Sequence, residues 1–438
     1  MGAQHHNRSN EKLFTPLQLG SMILSHRIIM SPLTRIRCPG GIPSPLVAEY
    51  YAQRATMGGL IISEGMHPSL MGGNLLNVPS MYSPEHVRAW KVVTDAVHAR
   101  GGYMVCQLWH VGRFATSHTL GGRQPLSASA TNAGVGNVFT PKGRVPSETA
   151  KEMTWEDIRV TVEDHVHAAK CAIDAGFDGV EISAANGYLF DQFLNDRTNL
   201  RNDQYGGSVF NRARFLLETL DAVAAVIGAG KTAVRFSPWG TVMIPLASNP
   251  ISNWTYVCAE VEKRRLAYVC LTQPGTDLFL LSATKWENLY KASECGTITA
   301  KKGHIHLEHF EKVLKTTPKL ATGEYDGENC FDEVARGQLD AVTFGRWVIS
   351  NPDLVEKVRF GLRLTPFDRA MFYGSGAEGY TNYPADIPRG PAEYDAHQLI
   401  GQIPLKRKTR QGFDYPENIV VLVEKTTEVS GTFRGSCN

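Results

Sequence analysis

Short apolar runs alternate with longer amphipathic stretches along most of the chain. Eight of the short runs are rich in β-branched residues and lack a regular polar alternation, which is typical of strands that are buried on both faces. In chain order they are IIMS at 28–31, LIISE at 60–64, YMVCQL at 103–108, GVEIS at 179–183, TAVRFS at 232–237, AYVCLT at 267–272, KLATG at 319–323 and AVTFG at 341–345. The pattern predicts eight strands of one parallel sheet.

Three stretches between these runs have the periodicity of amphipathic helices. Residues 83–101 begin with Ser83, which can cap a helix, and Pro84, which fits the first helical position. Their apolar residues recur at the spacing of one helix face, and residues 155–176 and 211–230 repeat the pattern. Strand and helix in alternation predict an α/β fold, a (β/α)₈ TIM barrel. A doubly wound open sheet is the alternative, and only the strand count argues against it.

Charge and cysteine content limit the classes of partner and the cellular compartment that we expect for this chain. The chain has 438 residues, of which 45 are basic and 43 acidic, so it offers no electrostatic footprint for nucleic acid or anionic lipid. No run of 18 apolar residues occurs and the amino terminus is polar, which predicts a cytoplasmic protein without a membrane partner. Eight cysteines without a Cys-x-x-Cys pair predict reduced, mostly buried thiols and no metal site. A small molecule is the expected partner.

Polar and glycine residues cluster where the first four runs end. In barrels of this type the chemistry lies at the carboxyl ends of the strands. The residues there are Pro32, Leu33 and Thr34 after the first run, Gly65 after the second, Gln107 and Trp109 at the third, and Ser183, Asn186 and Tyr188 at the fourth. Taken singly, Pro32, Gly65 and Gln107 each have a structural explanation: a rigid turn, a positive φ and a satisfied backbone group.

Two features of the later runs point to an anionic ligand. Arg235 lies within the fifth run, and a guanidinium there needs an anion or several carbonyls, so a structural ion pair and a ligand fit equally well. Gly323 ends the seventh run, and Gly345 with Arg346 ends the eighth, where this fold repeatedly builds a phosphate site from backbone N–H groups. The sequence therefore favours a phosphorylated ligand.

Two glycine-rich segments imitate nucleotide-binding motifs without satisfying them. GAGKT at 228–232 lacks the first glycine of a P-loop, since Ala225 stands there, and it precedes a strand. GVGNVF at 134–139 lacks the third glycine and the following helix of a dinucleotide fingerprint. A nucleoside triphosphate site is not supported, and a nicotinamide cofactor would bind without a Rossmann motif.

Five longer segments together resemble the Old Yellow Enzyme family, the FMN-dependent ene-reductases. They are LFTPLQLGSMILSHRIIMSPLTR, EGMHPS, CQLWHVGR, AGFDGVEISAANGYLFDQFLNDRTNLRNDQYGGSVFNRARF and VTFGRWVISNPDL. The resemblance, over roughly residues 13 to 384, implies a barrel that holds FMN noncovalently, is reduced by NADPH or NADH, and reduces an α,β-unsaturated carbonyl compound. It divides the chain into a polar tail at 1–12, an FMN-binding barrel at 13–387 and an extension of unassigned structure at 388–438. A monomer or a homodimer is expected.

The resemblance also implies roles for individual residues. The residues that would contact the isoalloxazine ring are Pro32, Leu33, Thr34, Gly65, Gln107 and Arg235, the last at the edge that becomes negative on reduction. The residues that would hold the phosphate are Gly323, Gly345 and Arg346. Trp109 and Tyr373 would line the substrate pocket. Glu324 stands where relatives often have asparagine, and a carboxylate there is unfavourable unless it turns away from the phosphate.

The segment EISAANGYL at 181–189 departs from the family at one position. In the family a histidine and an asparagine hold the substrate carbonyl, and a tyrosine protonates the α-carbon. Asn186 and Tyr188 match, but Ser183 occupies the histidine position. A serine hydroxyl is shorter than an imidazole, so it reaches the same oxygen only through water or with a deeper-lying substrate. Because a lost oxyanion donor costs about 10²–10³ in rate, ordinary enones should react poorly.

Three functions remain open on this basis. The first, which we predict, is an NADPH-dependent ene-reductase with a specialised biosynthetic or detoxifying substrate. The second is a flavin-dependent isomerase or oxidase, separable by whether NADPH is consumed in proportion to product. The third is a catalytically weakened flavin-binding barrel that only oxygen reoxidises. A non-flavin aldolase is disfavoured because no strand-end lysine offers a Schiff-base nucleophile.

Overall fold

The structure, a computed structural model, describes residues 8, 11–73, 75–140, 143–277 and 280–387. The predicted extension at 388–438 and most of the predicted tail at 1–12 lie outside these residues. The three-part division of the chain therefore stays a prediction.

Eight parallel strands close into a barrel and neighbour one another in chain order. From first to eighth, the barrel strands are Ile28–Met30, Leu60–Ile62, Tyr103–Leu108, Gly179–Ala184, Thr232–Phe236, Val269–Thr272, Lys319–Thr322 and Ala341–Phe344. All eight predicted runs form these strands, with ends within two residues of those predicted. The TIM barrel is confirmed, and the open doubly wound sheet is wrong because the eighth strand pairs with the first.

An amino-terminal hairpin closes the bottom of the barrel. Its strands, Leu17–Leu19 and Met22–Leu24, pair antiparallel. Leu19, Met22 and Leu24 pack in one cluster with inward-facing barrel residues that include Ile29 and Leu320. Because burial of apolar surface seals this end, the carboxyl ends of the strands are the open face of the barrel.

Eleven α-helices occur in the described residues. The largest cluster of buried apolar residues lies between these helices and the barrel. The helices are α1 (Pro45–Arg54), α2 (Pro84–His98), α3 (Trp155–Asp174), α4 (Leu189–Leu194), α5 (Val209–Ile227), α6 (Pro250–Glu262), α7 (Ser282–Glu294), α8 (Glu308–Glu311), α9 (Asp332–Ala335), α10 (Arg346–Ser350) and α11 (Leu354–Arg359). Helices α2, α3 and α5 are the three that the sequence predicts. Ser83 caps α2, since its hydroxyl accepts a hydrogen bond from the His86 N–H.

Shorter elements decorate the loops. Two strand pairs, in which Leu126–Ser127 lies beside Lys151–Glu152 and Asn137–Thr140 beside Gly143–Pro146, follow the third barrel strand. The 3₁₀ turns are Lys12–Phe14, Pro39–Gly41, Gly112–Phe114, Ala229–Lys231, Lys302–His304, Asn329–Phe331 and Arg369–Met371. Among the described cysteines only Cys295 is exposed, and none forms a disulfide there. No helix in the described ranges has both the length and the apolar character that crossing a membrane requires.

Candidate active site at the carboxyl ends of the strands

A buried ion pair forms the floor of the site, which we define as Gln107, Glu181 and Arg235. Arg235 Nε donates to Glu181 Oε1 over 2.9 Å, and Gln107 Nε2 donates to the same oxygen over 2.7 Å. Glu181 is 0%, Arg235 4% and Gln107 7% exposed. Of the two explanations left open for Arg235, the structural ion pair is therefore present, and Arg235 Nη1 still faces Ser31 Oγ only loosely, at 3.5 Å.

Glu181 is the counter-ion that keeps Arg235 charged. Burial opposes the charge, but Cys270 and the Glu181 carboxylate outweigh it, so the pKa of Arg235 lies above its ordinary value. The sequence reasoning did not single out Glu181. The sequence does contain the information needed to find it, because a carboxylate two residues before Ser183 in a strand must face the same side of the sheet as Ser183.

The mouth of the site, which we define as Ser183, Asn186 and Tyr188, lies at the end of the fourth barrel strand. Ser183 is 4% exposed and is the register partner of Arg235 on the fifth strand. Asn186 is half-buried in the following loop, and Tyr188 is buried immediately before α4. Within the described part of the chain, neither hydroxyl nor the Asn186 side-chain amide has a hydrogen-bond partner. These donors are therefore available to a ligand.

Trp109 packs between the mouth and the second barrel strand. Its ring meets the Tyr188 ring edge-on at 4.8 Å between centroids and stacks on His67 at 5.3 Å. The buried Trp109 indole N–H has no partner in the described ranges. A Cβ on Gly65 would lie 2.7 Å from Trp109 Cε3. Gly65 does not adopt a positive φ, so that explanation was wrong, and the close approach of Trp109 is the reason for a glycine.

Tyr373 lies in a segment that two buried arginines hold. Arg35 donates to the backbone carbonyls of Phe372 and Gly379 over 2.8 and 2.6 Å, and Arg37 donates to other carbonyls of the same segment. Burial, followed by the nearby Tyr373, raises the pKa of Tyr188 above its ordinary value. Tyr373 itself is 37% exposed, and its role as a substrate-lining residue stays a prediction.

Glycines and an arginine meet at the ends of the seventh and eighth strands. Gly323 has a φ of 96°, and a Cβ there would lie 1.7 Å from Thr276 Oγ1. Gly345 precedes α10, and Arg346 Nη2 donates to the Asp277 carbonyl over 2.5 Å. The buried Thr276 hydroxyl has no partner among the residues described. Glycine backbone, an unpartnered hydroxyl and a guanidinium are groups that suit a phosphate.

The carboxylate of Glu324 lies beside this phosphate-suited corner, since a Cβ on Gly275, the neighbour of Thr276, would meet Glu324 Oε1 at 2.3 Å. It accepts hydrogen bonds from the Ser282 hydroxyl and from Trp286 Nε1, both on α7. That this carboxylate turns away from a bound phosphate therefore stays a prediction.

Lys285 on α7 is a buried charge that the sequence reasoning did not identify. It is 0% exposed, its ammonium donates to the Thr241 hydroxyl, and it lies 3.8 Å from Asp277 Oδ2. Burial lowers the pKa of Lys285 to about 8 against the opposing effect of Asp277. Since this lysine is on a helix and enclosed, it does not offer the strand-end nucleophile of an aldolase.

Pro32, Leu33 and Thr34 follow the first barrel strand and are all half-buried. Leu33 lies under Gly345, where a Cβ would meet Leu33 Cδ2 at 3.5 Å. The three residues therefore border the same face of the barrel as the glycines, between the phosphate-suited corner and the second strand. Together with the floor and the mouth, they border the open face of the barrel, where hydrogen-bonding side chains lie beside the phosphate-suited corner.

A family model and individual relatives match this chain over most of its length. The model of the NADH:flavin oxidoreductase / NADH oxidase family matches residues 12–365. The flavin oxidoreductase hxnT of Emericella nidulans is 39% identical over 85% of this chain and 97% of the relative. The 12-oxophytodienoate reductase 7 of Oryza sativa subsp. japonica is 39% identical over 85% and 94%, respectively.

Solved structures show the same similarity. Morphinone reductase in complex with tetrahydroNAD is 37% identical with a TM-score of 0.75, over 85% of this chain and 97% of that one. The old yellow enzyme homologue from Zymomonas mobilis is 36% identical with a TM-score of 0.77, over 85% and 99%.

Proposed function

We propose, from the premise that the chain belongs to the Old Yellow Enzymes within the NADH:flavin oxidoreductase / NADH oxidase family, that it reduces the C=C bond of a specialised α,β-unsaturated carbonyl compound with NADPH. Membership makes the protein an FMN-dependent oxidoreductase that acts on C=C bonds and uses a nicotinamide cofactor. The identity of the substrate, the choice of NADPH and the roles of individual residues are what the proposal adds.

The residues at the strand ends fit FMN. We assign its phosphate to Gly323, Gly345 and Arg346, where glycine backbone, the Thr276 hydroxyl and a guanidinium lie close together. We assign its ring to the residues that border the floor, which are Pro32, Leu33, Thr34, Gly65, Gln107 and Arg235. When bound, FMN supplies a hydride that it has received from the nicotinamide. Arg235 is paired with Glu181, and its loosely bound Nη1 is the donor that a ligand gaining negative charge would use.

The observation that carries the substrate proposal is the mouth, whose three side-chain donors have no internal partner. The Asn186 amide donates to the substrate carbonyl oxygen and so polarises the alkene. As hydride reaches the β-carbon, the Tyr188 hydroxyl gives its proton to the α-carbon. A tyrosine hydroxyl is protonated at neutral pH, and the raised pKa of Tyr188 extends that protonated range to more alkaline pH. Trp109 and Tyr373 would form walls of the pocket.

Ser183 supports a specialised substrate. It lies deeper than Asn186, since it belongs to the strand and pairs in register with Arg235, and it is nearly enclosed. Its short hydroxyl can serve a carbonyl that enters deeply or that is bridged by water. An alkene with a second electron-withdrawing group would also need less polarisation by hydrogen-bond donors of the protein. Either substrate would react well without the missing imidazole.

The test begins with the absorbance spectrum of the purified protein, which should show bound flavin. A panel of enones is then offered with NADPH under anaerobic conditions, with doubly activated alkenes beside simple cyclic enones. We expect one NADPH consumed per alkene reduced and faster turnover of the doubly activated compounds. Product formed without NADPH would point to the isomerase, and reoxidation by oxygen alone to the weakened barrel. A colourless protein that does not bind FMN would refute the proposal.

A further inference from the structure

The loop that carries Asn186 and Tyr188 has an unusual backbone. Asn186 and Gly187 follow one another in the left-handed region, with φ values of 56° and 77°. A side chain at position 187 is excluded, because a Cβ there would lie 2.2 Å from the Val242 carbonyl oxygen. A left-handed asparagine is less favourable than a helical or extended one, so other contacts must hold this conformation.

A closed ring of hydrogen bonds lies behind this loop. The Asn186 N–H donates to Ser237 Oγ over 2.7 Å, and the Ser237 hydroxyl donates to Asp191 Oδ2 over 3.3 Å. The Gly187 N–H donates to the same Asp191 oxygen over 2.9 Å. The ring joins three elements: the loop itself, α4 and the end of the fifth barrel strand. Asp191 is 4% and Ser237 3% exposed, so water does not compete freely for these bonds.

A second set of hydrogen bonds fixes the carbonyl group of Gly187. Gln192 Nε2 donates to the Gly187 carbonyl over 2.7 Å, and Gln192 Oε1 accepts from Ser127 and from the Arg113 N–H. Both polar groups of Gly187 are thus bound by side chains of α4. The helix that begins one residue after Tyr188 therefore sets the path of the chain before it.

We propose that Asp191 and Ser237, which we call the clasp, are positioning residues that set the Asn186 amide and the Tyr188 hydroxyl relative to one substrate. This inference rests on the proposed function and extends it to two residues that contact neither substrate nor cofactor. The clasp acts through backbone N–H groups, so the side chains of Asn186 and Tyr188 stay free. A displacement of about 1 Å at such a loop can cost 10²-fold in rate.

Titration of the clasp provides an independent readout. Burial raises the pKa of Asp191 to about 7, against the bonds from Gly187 and Ser237 and the charge of Arg113, which faces it from the loop after the third strand. The ionised carboxylate, the better acceptor, is therefore present above neutral pH and is lost as the pH falls through 7. We expect kcat to decrease on this acid side, and Asp191→Asn to remove that step.

The test uses the holoenzyme with Ser237→Ala and Asp191→Ala, because an asparagine at position 191 would still accept hydrogen bonds through its Oδ1. Hydrogen–deuterium exchange of the peptide that contains residues 184–189 should speed up at the Asn186 and Gly187 amides by about tenfold, as expected for one lost hydrogen bond. The kcat for an enone that the wild type reduces should fall by about 10- to 100-fold. FMN affinity should not change, and Ser237→Thr, which keeps the hydroxyl, should restore both readouts.

Ser248→Ala is the matched control. Ser248 donates to Asp196 through both its N–H and its hydroxyl, but this second serine–aspartate pair does not contact the catalytic loop. Its loss should leave exchange at 184–189 unaltered. Unchanged exchange in Ser237→Ala, or faster exchange with full kcat, would overturn the clasp. If the wild type reduces no enone, the proposed function fails, whereas the exchange measurement still decides whether the clasp holds the loop.

Discussion

The floor and the mouth lie on the same strand ends but use their polar groups differently. In the floor, Glu181 accepts from both Arg235 and Gln107, so the charges meet inside the barrel. In the mouth, the side chains of Ser183, Asn186 and Tyr188 find no partner among the described residues. The floor therefore contributes to folding as well as to the proposed ring site, and the mouth keeps its hydrogen bonds for a ligand. Substitutions should separate accordingly, with loss of stability in one region and loss of turnover in the other.

The largest effect on stability is expected for Glu181→Ala. It would leave the buried Arg235 without its counter-ion, which should lower the free energy of unfolding by about 3–5 kcal/mol. Urea unfolding of the wild type and of the Glu181→Ala variant measures the difference. Asp221→Ala is the control, because its ion pair with Arg264 is exposed and should contribute at most about 1 kcal/mol. Equal effects of the two substitutions would contradict the view of the floor.

Tyr188→Phe should have the opposite pattern, with a large loss of turnover and little loss of stability. Without the proton donor, kcat for enone reduction should fall by about 10²–10⁴. The free energy of unfolding should change by no more than about 0.5 kcal/mol, because the hydroxyl has no internal bond to lose. The matched control is Tyr205→Phe, which removes a hydroxyl that donates to Glu218 and should cost about 1 kcal/mol at unchanged kcat. A destabilised Tyr188→Phe protein would argue against an unpartnered mouth.

Ser183→His tests whether the mouth lacks a donor. Restoring the imidazole should raise turnover of a simple cyclic enone by up to about 10². Steady-state NADPH oxidation measures this change, and Ser183→Ala, which adds no donor, should give no gain. Unchanged or lower rates in the histidine variant would mean that the pocket has been reorganised beyond this one residue.

The smallest effect concerns alkaline pH. Burial raises the pKa of Tyr188 above its ordinary value, so its proton is retained below that raised pKa and lost only above it. Turnover should therefore stay level between about pH 8, above the titration of Asp191, and pH 9.5, although an unperturbed tyrosine with a pKa of about 10 would already lose some of its acid form. A kcat–pH profile measures this, and a decline that begins near pH 9 would show that Tyr188 is not shielded.

The barrel could be predicted because its strands are buried on both faces, so each strand is visible in the sequence as a local apolar run. Partners could not be predicted, because pairing across the barrel depends on register. The sequence required a partner for Arg235 but did not identify Glu181, and Asp191 looked like an ordinary helix residue. Residues 275–312 matched no motif, and their helices include α8, whose four residues are too short to form without tertiary contacts. The assigned roles of the site residues stay predictions.

Arg35 and Arg37 hold the segment around Tyr373 through main-chain carbonyls, which every residue type has. These bonds therefore do not depend on the side chains of the segment, although Gly379, with a φ of 62° and no room for a Cβ beside Met371, must stay a glycine. Over evolutionary time, the other side chains of the segment can be exchanged one by one while the scaffold stays in place. Descendants of one ancestral barrel can in this way acquire new preferences for the molecules they admit, with few mutations and no refolding of the entrance.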